Sequence, residues 1–320
     1  MATLPISVRR QLATVVAASR GVARVWLLPM PDMRRHVWLP LGGAAYVFVI
    51  AVLGGLRWDH VLIGSLGLLD LYNSKTRLFL RTFLPFIATG VVFDSMRYYY
   101  WPGIEGRVHV AEPYELDRAW FGVDGGTLNE YFMAHHWAIA DLATGFAYLT
   151  FVAEYIGIAM LLFLRGCIAR AATFARCFFA VNMLGFITYF VYPAAPPWYV
   201  AANGFGPART DIVPSAAAAK RFDDLLGTHF FDGMYGRGVD VFGAIPSLHC
   251  AYPLIALVLL LGTRELRAMR WPAAAFWALM CFGAVYLQHH YVIDCLLGAL
   301  YALVALAIVS VSERRAAPAR

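Results

Sequence analysis

Residues 288–311 read QHHYVIDCLLGALYALVALAIVSV. From Tyr291 onwards the segment is apolar over about the 20 residues that an α-helix needs to cross a bilayer. Two adjacent histidines, His289 and His290, directly precede this apolar part, and Asp294 lies about one turn inside it. An ionisable side chain at such a depth is costly unless it is paired and used. The stretch therefore predicts both a membrane helix and a functional site at the start of that helix.

The rest of the chain has the same apolar character. Of its 320 residues, 61% are apolar and 14% are charged, and the mean hydropathy is +0.62. Soluble domains are about half apolar and about one quarter charged, so the composition excludes a soluble enzyme. The net charge of +6 does not indicate nucleic-acid binding, because basic residues in a membrane protein set its orientation. We therefore predict an all-α, polytopic membrane helix bundle with no nucleic-acid partner.

Hydropathy predicts spans at 38–56, 82–100, 138–164, 177–193, 246–263, 271–287 and 291–311. An eighth candidate, 61–72, is short for a full crossing. With it included, 18 of the 26 Lys and Arg residues fall on one face, which has the segments 1–36, 73–81, 165–176, 264–270 and 312–320. Seven fall on the opposite face, with 57–60, 101–137, 194–245 and 288–290. Cytoplasmic loops carry such an excess, so we predict about eight transmembrane helices and cytoplasmic termini.

The predicted organisation has four parts. An N-terminal arm at 1–36 contains six arginines and no continuous apolar core, which is typical of an amphipathic cytoplasmic helix and not of a cleaved signal peptide. A transmembrane hairpin at 37–80, a catalytic membrane domain at 81–311 and a cytoplasmic tail at 312–320 follow. Within the catalytic domain, 101–137 and 194–245 mix aromatic, Gly and Pro residues with charges, so we expect two folded caps on the outer face.

A second stretch, Gly243-Ala-Ile-Pro-Ser-Leu-His249, also begins a predicted span on its outer side. Pro246 suits the first turn of a helix. Ser247, Leu248 and His249 should then lie where unpaired backbone N–H groups and the helix dipole favour an anion. A phosphate group is the anion that we expect to bind there.

His290 and Asp294 are the next candidate residues, and they lie one turn apart on one helix face. A carboxylate that accepts one imidazole N–H leaves the other nitrogen free to attack phosphorus and stabilises the resulting cation. His249 then protonates a leaving oxygen and later activates the acceptor. His289 points about 100° away from His290 on a helix, and we interpret it as interfacial. No cofactor is needed for this chemistry, and no carboxylate cluster has the spacing of metal ligands, so no metal is expected.

Three motifs together resemble a known family. The stretches P-S-L-H and H-H-Y-x-I-D resemble the second and third signature motifs of the type 2 phosphatidic acid phosphatase (PAP2) superfamily. Tyr192-Pro-Ala-Ala-Pro-Pro-Trp-Tyr199 resembles the first motif of the branch that includes fungal inositol phosphorylceramide synthases. The resemblance covers roughly residues 80–311. It implies a six-helix core, a phosphohistidine at His290 oriented by Asp294, proton transfer by His249, and a site on the extracytoplasmic or lumenal face.

The sequence departs from the phosphatase branch where that branch carries positive charge. The first motif of the phosphatase branch has a Lys and an Arg, and this chain has Tyr189 and Pro196 at those places. The phosphatase branch also has a Ser-Arg pair before the third motif, and this chain has Gly283-Ala284 there. The charge of the transition state must then be met by the amides around Ser247 or by basic side chains of the long outer segment. The candidates are Arg209, Lys220, Arg221 and Arg237. Solvated surface charges are the alternative interpretation of all four.

Other residues are weaker candidates. Trp198 and Tyr199 lie in the first motif and are expected to line the entrance for a lipid headgroup, although aromatic residues are common at any membrane interface. Glu154 lies well inside its span with no basic residue nearby in the sequence, so it is an additional candidate. A structural hydrogen bond between helices is the alternative for Glu154.

The predicted function is a membrane phosphotransferase resembling inositol phosphorylceramide synthase, which moves a headgroup from phosphatidylinositol to ceramide or another lipid alcohol. If water is the acceptor, the protein is a lipid phosphatase for phosphatidic acid or an isoprenoid phosphate. A non-catalytic lipid-binding protein is a further alternative. In every case the partners are membrane lipids, and the oligomeric state stays open. The Ala- and Arg-rich composition is typical of bacteria with GC-rich genomes, which indicates a plasma membrane location with the site on the outer side. A eukaryotic Golgi membrane is the alternative.

Overall fold

The computed structural model describes residues 37–98, 100–104, 106–209, 211–235, 238 and 241–316. Regular secondary structure in these residues is helical throughout, and extended segments meet only in isolated bridges. The all-α prediction is therefore confirmed. The predicted N-terminal arm at 1–36 lies outside the described residues, as does the end of the predicted tail from residue 317.

The α-helices are named here in chain order. They are α1 (Trp38–Val52), α2 (Trp58–Ser65), α3 (Leu69–Tyr72), α4 (Ser74–Ser95), α5 (Tyr100–Ile104), α6 (Ala111–Phe121), α7 (Leu128–Ala134), α8 (Ala138–Leu164), α9 (Ile168–Val191), α10 (Pro197–Asn203), α11 (Lys220–Leu226), α12 (Phe230–Tyr235), α13 (Leu248–Leu261), α14 (Arg270–Tyr286) and α15 (Val292–Ala316).

Five helices in the described part of the chain are long and apolar enough to cross a membrane: Ser74–Tyr98, Ala138–Leu164, Ile168–Val191, Arg267–Tyr286 and Val292–Arg315. The shorter helices α1 and α13 are also apolar. These helices correspond to the spans that hydropathy predicts. Two of them begin several residues before the predicted spans, at Ser74 and Ile168, because Lys and Arg lower the hydropathy of a segment without lowering its helix propensity.

The eighth predicted segment, 61–72, is not one continuous helix. It is divided among α2, a 3₁₀ turn at Leu66–Leu68 and α3. At about 1.5 Å per residue, these short helices span less than the roughly 30 Å of a hydrocarbon core. Asp70 within the segment is buried and forms ion pairs with Arg77 at 3.7 Å and Arg81 at 3.1 Å. This pairing explains how an apolar stretch accommodates a carboxylate.

The chain divides into two compact units. One contains the described residues up to Ile87 together with Ile158–Ala175, and the other contains Ala88–Gly157 and the residues from Arg176 onwards. In the first unit α1 packs closely on α2, where a Cβ atom on Gly43 would lie 2.1 Å from the carbonyl oxygen of Gly64. All three sequence motifs belong to the second unit.

In the second unit, α13 packs against both α14 and α15. Gly298 of α15 lies against the start of α13, because a Cβ atom at this position would be 2.2 Å from the carbonyl oxygen of Ser247. The core around these helices is aromatic and fully buried, with Tyr148, Phe231 and Tyr286 among its members. This close contact places the beginnings of α13 and α15 side by side.

The two long connecting segments, 101–137 and 194–245, contain short helices and meet in extended backbone. The amide of His109 donates to the carbonyl of Pro193 at 2.8 Å, and the amide of Ala195 donates to the carbonyl of His109 at 2.9 Å. The amide of Ala194 donates to the carbonyl of Phe242 at 2.8 Å. Three stretches of chain thus run side by side and fix the backbone that leads into α13.

Candidate active site

Two of the predicted histidines are in direct contact. His249 lies in the first turn of α13, and His290 lies just before α15. The Nδ1 atom of His249 is 2.9 Å from the Nε2 atom of His290. His290 is 4% exposed, whereas His249 is partly buried. The fold therefore brings the second and third sequence motifs together at one place.

The protonation of this pair follows from the other hydrogen bond of His290. Its Nδ1 atom is 2.9 Å from the carbonyl oxygen of Ala244. A carbonyl oxygen can only accept, so Nδ1 carries the proton and the Nε2 atom of the neutral ring is unprotonated. The hydrogen bond between the rings then runs from the Nδ1–H group of His249 to the Nε2 atom of His290. The electron pair on Nε2 thus faces a proton donor, an arrangement that suits a nucleophile beside a general acid.

Asp294 lies on the Nδ1 side of His290 and is fully buried. Its Oδ2 atom is 3.6 Å from that nitrogen and accepts a hydrogen bond of 2.8 Å from the amide of Tyr291. The backbone carbonyl of Asp294 accepts a hydrogen bond of 3.0 Å from the amide of Ser247. The predicted carboxylate is therefore beside the imidazole, while the hydrogen bond from Nδ1 goes to Ala244. No sequence pattern reveals such a backbone partner.

The first turn of α13 has the features of an anion site. Ser247 caps the helix, and its Oγ atom accepts a hydrogen bond of 3.4 Å from the amide of Cys250. The amides of Leu248 and His249 precede the first hydrogen bond within the helix, and the helix end carries partial positive charge. Tyr189, which stands where the phosphatase branch has a basic residue, donates its hydroxyl to the carbonyl of Pro246 at 3.1 Å. Phosphate binding at this turn stays a prediction.

Asn129 of α7 fixes the turn between α14 and α15. Its side-chain amide donates to the carbonyls of Val285 at 2.9 Å and His290 at 3.0 Å. Its backbone carbonyl accepts a hydrogen bond of 2.8 Å from the side chain of Gln288. Sequence reasoning missed Asn129, because an asparagine in a short polar helix carries no signal of a contact with a turn so distant in the sequence.

Gln288 has a left-handed backbone with φ 69°, a conformation that non-glycine residues seldom adopt. Its carbonyl accepts a hydrogen bond of 3.1 Å from the amide of Trp198. The next two amides, of His289 and His290, both donate to the carbonyl of Ala284, at 3.2 and 2.9 Å. Backbone strain of this kind persists where surrounding contacts over-determine it, and it is concentrated at functional sites.

A cavity of about 450 Å³ lies beside this turn. Trp198, Gln288 and Ile212 are among the residues that line it. The predicted entrance residues thus separate in the structure. Trp198 faces the cavity, whereas Tyr199 is 1% exposed and its hydroxyl accepts a hydrogen bond of 2.8 Å from the amide of Arg209.

Two of the basic residues predicted to meet a phosphate are exposed and already paired with carboxylates. Arg209 lies 3.0 Å from Asp211, and Lys220 lies 3.5 Å from Asp232. Such pairs are usual for solvated surface charges. Arg237 lies outside the described residues. Phosphate binding by any of the three stays a prediction.

Arg221 is mostly buried and has structural contacts. It donates to Asp141 at 2.7 Å, and its guanidinium lies 4.9 Å from the centre of the Tyr286 ring.

The Oε2 atom of Glu154 is buried and has no hydrogen-bond partner in the part of the chain that the structure describes. Within these residues, no group of three or more His, Cys, Asp or Glu side chains is placed to hold a metal ion. Functional roles for Arg221 and Glu154 stay predictions.

Asp117 of α6 is a second buried carboxylate beside the site, and the sequence gives no signal for it. Its Oδ1 atom accepts a hydrogen bond of 3.0 Å from the amide of Ile293. Burial, together with the negative charge of Asp294, raises the pKa of Asp117 to about 6. The start of α15 therefore has two acidic side chains at the helix end where the dipole favours negative charge.

Comparisons with known proteins identify the family that the chain resembles. A model of the PAP2 superfamily matches residues 113–308. The phosphoinositol dihydroceramide synthase of Bacteroides thetaiotaomicron is 36% identical over 279 residues, which are 84% of this chain and 89% of the relative. The range that the family model matches includes His249, His290 and Asp294.

Two fungal proteins are similar over a shorter part of the chain. The inositol phosphorylceramide synthase of Candida albicans is 31% identical over 46% of this chain, and the catalytic subunit from Saccharomyces cerevisiae is 33% identical over 39%. The matched parts are 31% and 30% of these fungal relatives. No solved structure matches this chain.

Asn129→Asp should disable the site, because it replaces the two N–H donors by a carboxylate that faces the carbonyls of Val285 and His290. We expect lipid turnover by the purified protein to fall by about 100-fold, and its unfolding temperature to fall as well. Asn73→Asp is the matched control, since Asn73 only accepts at its side chain, from the amides of Lys75 and Thr76. Equal activity of both variants would contradict the role given to Asn129.

Asp117→Asn should change how stability depends on pH. The pKa of Asp117 is about 6 in the folded protein and about 3.8 for an ordinary aspartate, so the folded state holds the proton more tightly. The stability that this proton contributes is complete below about pH 4 and is lost as the pH rises through 6. In detergent, the unfolding temperature of the Asp117→Asn protein should therefore be higher than that of the parent at pH 7.5, and this difference should be smaller at pH 5. A difference that does not change with pH would refute the raised pKa of Asp117.

Proposed function

The chain belongs to the PAP2 superfamily, and we propose that it transfers a phosphoinositol headgroup from phosphatidylinositol to ceramide or a related lipid alcohol. The chain is an integral membrane enzyme, a lipid phosphotransferase. The contact between His249 and His290 is the observation that carries the proposal, because it pairs an unprotonated nitrogen with a proton donor. The relatives named for phosphoinositol ceramide synthesis support the choice of substrates.

In the first step, the Nε2 atom of His290 attacks the phosphorus of the phosphodiester. A P–N bond forms, and the bond between phosphorus and the diacylglycerol oxygen breaks. His249 enters this step as the imidazolium cation and donates its Nδ1 proton to the leaving oxygen, so neutral diacylglycerol departs and His249 becomes a neutral imidazole. His290 is left carrying phosphoinositol, and its Nδ1–H group stays bonded to Ala244 beside Asp294, whose negative charge stabilises the cationic ring.

In the second step, the hydroxyl group of the lipid alcohol takes the place that diacylglycerol left. His249, now a neutral imidazole, accepts the hydroxyl proton at Nδ1 as the oxygen attacks phosphorus. The new P–O bond forms while the P–N bond breaks. The histidine pair then returns to its starting protonation, and no cofactor is consumed.

The charges around the site favour a diester over a monoester. A phosphodiester carries one negative charge, whereas a phosphomonoester carries up to two near neutral pH. Tyr189 and Ala284 stand where the phosphatase branch has basic residues, and here they serve the backbone: Tyr189 donates to Pro246, and the carbonyl of Ala284 accepts from His289 and His290. The amides at the start of α13 remain as the nearest anion donors, which suits the smaller charge.

We also propose the placement of this chemistry in the membrane. The catalytic domain at 81–311 contains the range that the family model matches, 113–308. The excess of Lys and Arg in 73–81, 165–176, 264–270 and 312–320 favours the cytoplasm for these segments. The start of α15 and the cavity beside Trp198 then face the outside of a bacterial plasma membrane, and we propose that the donor headgroup enters by that cavity.

The catalytic roles predict distinct variants. His290→Gln should lower transfer from labelled phosphatidylinositol to ceramide by more than about 1,000-fold, because the nucleophile is lost. His249→Gln should lose a similar factor with phosphatidylinositol but release nitrophenol from a nitrophenyl phosphodiester nearly as fast as the parent, since nitrophenolate leaves without a proton. Diacylglycerol, the new phospholipid and free phosphate are measured separately in nanodiscs.

His229→Gln is the matched control, because the His229 side chain is 86% exposed, and it should keep full activity. Transfer by the His290→Gln protein at the parental rate would refute the mechanism. Free phosphate from phosphatidic acid without any new phospholipid would identify a phosphatase instead. Lipid binding with no product from either substrate would favour a binding protein.

The proposed orientation is tested with single cysteines on a background without the native ones. The two substitutions are Glu115→Cys in α6 and Arg267→Cys in the turn before α14, and both positions are exposed. In intact cells an impermeant maleimide should label the cysteine at position 115 and should reach position 267 only after lysis. The opposite labelling pattern would overturn the orientation.

A further inference from the structure

His289 is held between aromatic rings beside the catalytic pair. The ring of Tyr235 stacks on His289 with centroids 4.7 Å apart and planes 4° apart. The ring of Tyr148 stacks on His289 at 5.3 Å and also on His249 at 4.6 Å. Tyr235, His289, Tyr148 and His249 therefore form a continuous series of stacked rings that ends at the proposed general acid. This series contradicts the interpretation of His289 as an interfacial residue, because His289 is only 5% exposed.

The two nitrogens of His289 have different environments. One faces the backbone of Ala216, while the Nε2 atom is buried and has no hydrogen-bond partner among the described residues. Burial and the neighbouring His290 lower the pKa of His289 to about 3, so the ring is neutral at physiological pH. With the ring proton on the nitrogen that faces Ala216, Nε2 presents a bare electron pair.

A buried acceptor without a donor costs about 1–3 kcal/mol, so native proteins seldom keep one without a use. The hydroxyl of Tyr148, in the same ring series, is a second buried polar group without a partner in the described structure. Neither ring can swing toward another donor, because each is stacked against its neighbours. A buried water or a group of the substrate can then supply the missing hydrogen bond.

The chemistry of the partner follows from the two groups. Nε2 of His289 can only accept, so it requires an O–H or N–H donor, and the phenol of Tyr148 can donate or accept. A phosphate oxygen of a diester carries no proton and does not satisfy Nε2. A hydroxyl group can donate to Nε2 and can bond to a phenol, and it is the group that distinguishes a polyol headgroup or a lipid alcohol from an acyl chain.

We propose that His289 and Tyr148 form a hydroxyl-binding site, in which Nε2 of His289 accepts a hydrogen bond from a substrate hydroxyl next to the reacting phosphate. The inference rests on the proposed function and adds to it the residues that select hydroxyl-bearing substrates. The hydroxyl has two sources in that reaction: the polyol headgroup of the donor, or the alcohol of the acceptor lipid.

Two His289 variants separate hydroxyl binding from ring packing. His289→Phe keeps a flat ring between Tyr148 and Tyr235 but has no acceptor, whereas His289→Gln loses the ring but places an amide oxygen near the position of Nε2. For a hydroxyl-binding site we expect kcat/KM to fall by about tenfold or more in His289→Phe, with partial recovery in His289→Gln. Tyr148→Phe keeps its ring and should lose activity toward the same substrate.

The source of the hydroxyl is found by separating the two half-reactions in nanodiscs. Release of diacylglycerol from phosphatidylinositol in a single turnover, without ceramide, reports the donor step. Transfer to ceramide after that release reports the acceptor step. Slower release in His289→Phe identifies the headgroup hydroxyl, whereas unchanged release with slower transfer identifies the acceptor hydroxyl.

The outcomes for the site and for the proposed function are distinct. An active parent with a fully active His289→Phe variant, or with His289→Phe more active than His289→Gln, would overturn the hydroxyl-binding site alone. A parent that makes no phospholipid from phosphatidylinositol and ceramide would overturn the proposed function and this inference with it. If His289→Phe does not fold, unchanged half-reactions in Tyr148→Phe would overturn the proposal.

Discussion

The structure depends on one constraint: the turn between α14 and α15 is buried, so its backbone groups need partners that water cannot supply. Gln288 takes a left-handed conformation there, and the amides of His289 and His290 share one carbonyl. The carbonyls of the turn accept from Asn129 and Trp198, which lie in the two long connecting segments. These two segments therefore stabilise the buried turn, because they supply hydrogen bonds to its backbone carbonyls.

The sequence predicts those parts of the molecule that depend on hydrophobicity. The long apolar helices appear where hydropathy places them, because a bilayer tolerates few other structures. His249, His290 and Asp294 are predicted from motifs, since each would carry its chemistry in its side chain, and the structure brings the three together. Asn129 and Ala244 could not be found in this way. Their contribution is a contact between backbone carbonyls and distant segments, and such contacts leave no pattern in composition or periodicity.

Burial of the histidines sets the character of the chemistry. His290 and Asp294 are almost completely buried, and the aromatic rings of Tyr148 and Phe151 pack against His249. In such surroundings a charge is costly unless it is compensated, so a nucleophile that is neutral before the reaction suits the site. In the proposed mechanism His290 starts as a neutral imidazole with its proton on Nδ1, and its ring becomes cationic only when phosphorus is bound, with Asp294 at 3.6 Å.

The same burial favours transfer over hydrolysis. A phosphohistidine intermediate is open to attack by water for as long as it exists, so a transferase has to exclude water until the second alcohol arrives. An intermediate at His290, which is 4% exposed, would lie under the connecting segments and beside the stacked rings of Tyr148 and His289. A lipid alcohol can displace what little water reaches this place. Selecting the hydroxyl of a lipid over that of water is then a matter of shape and burial, and it needs no additional charge.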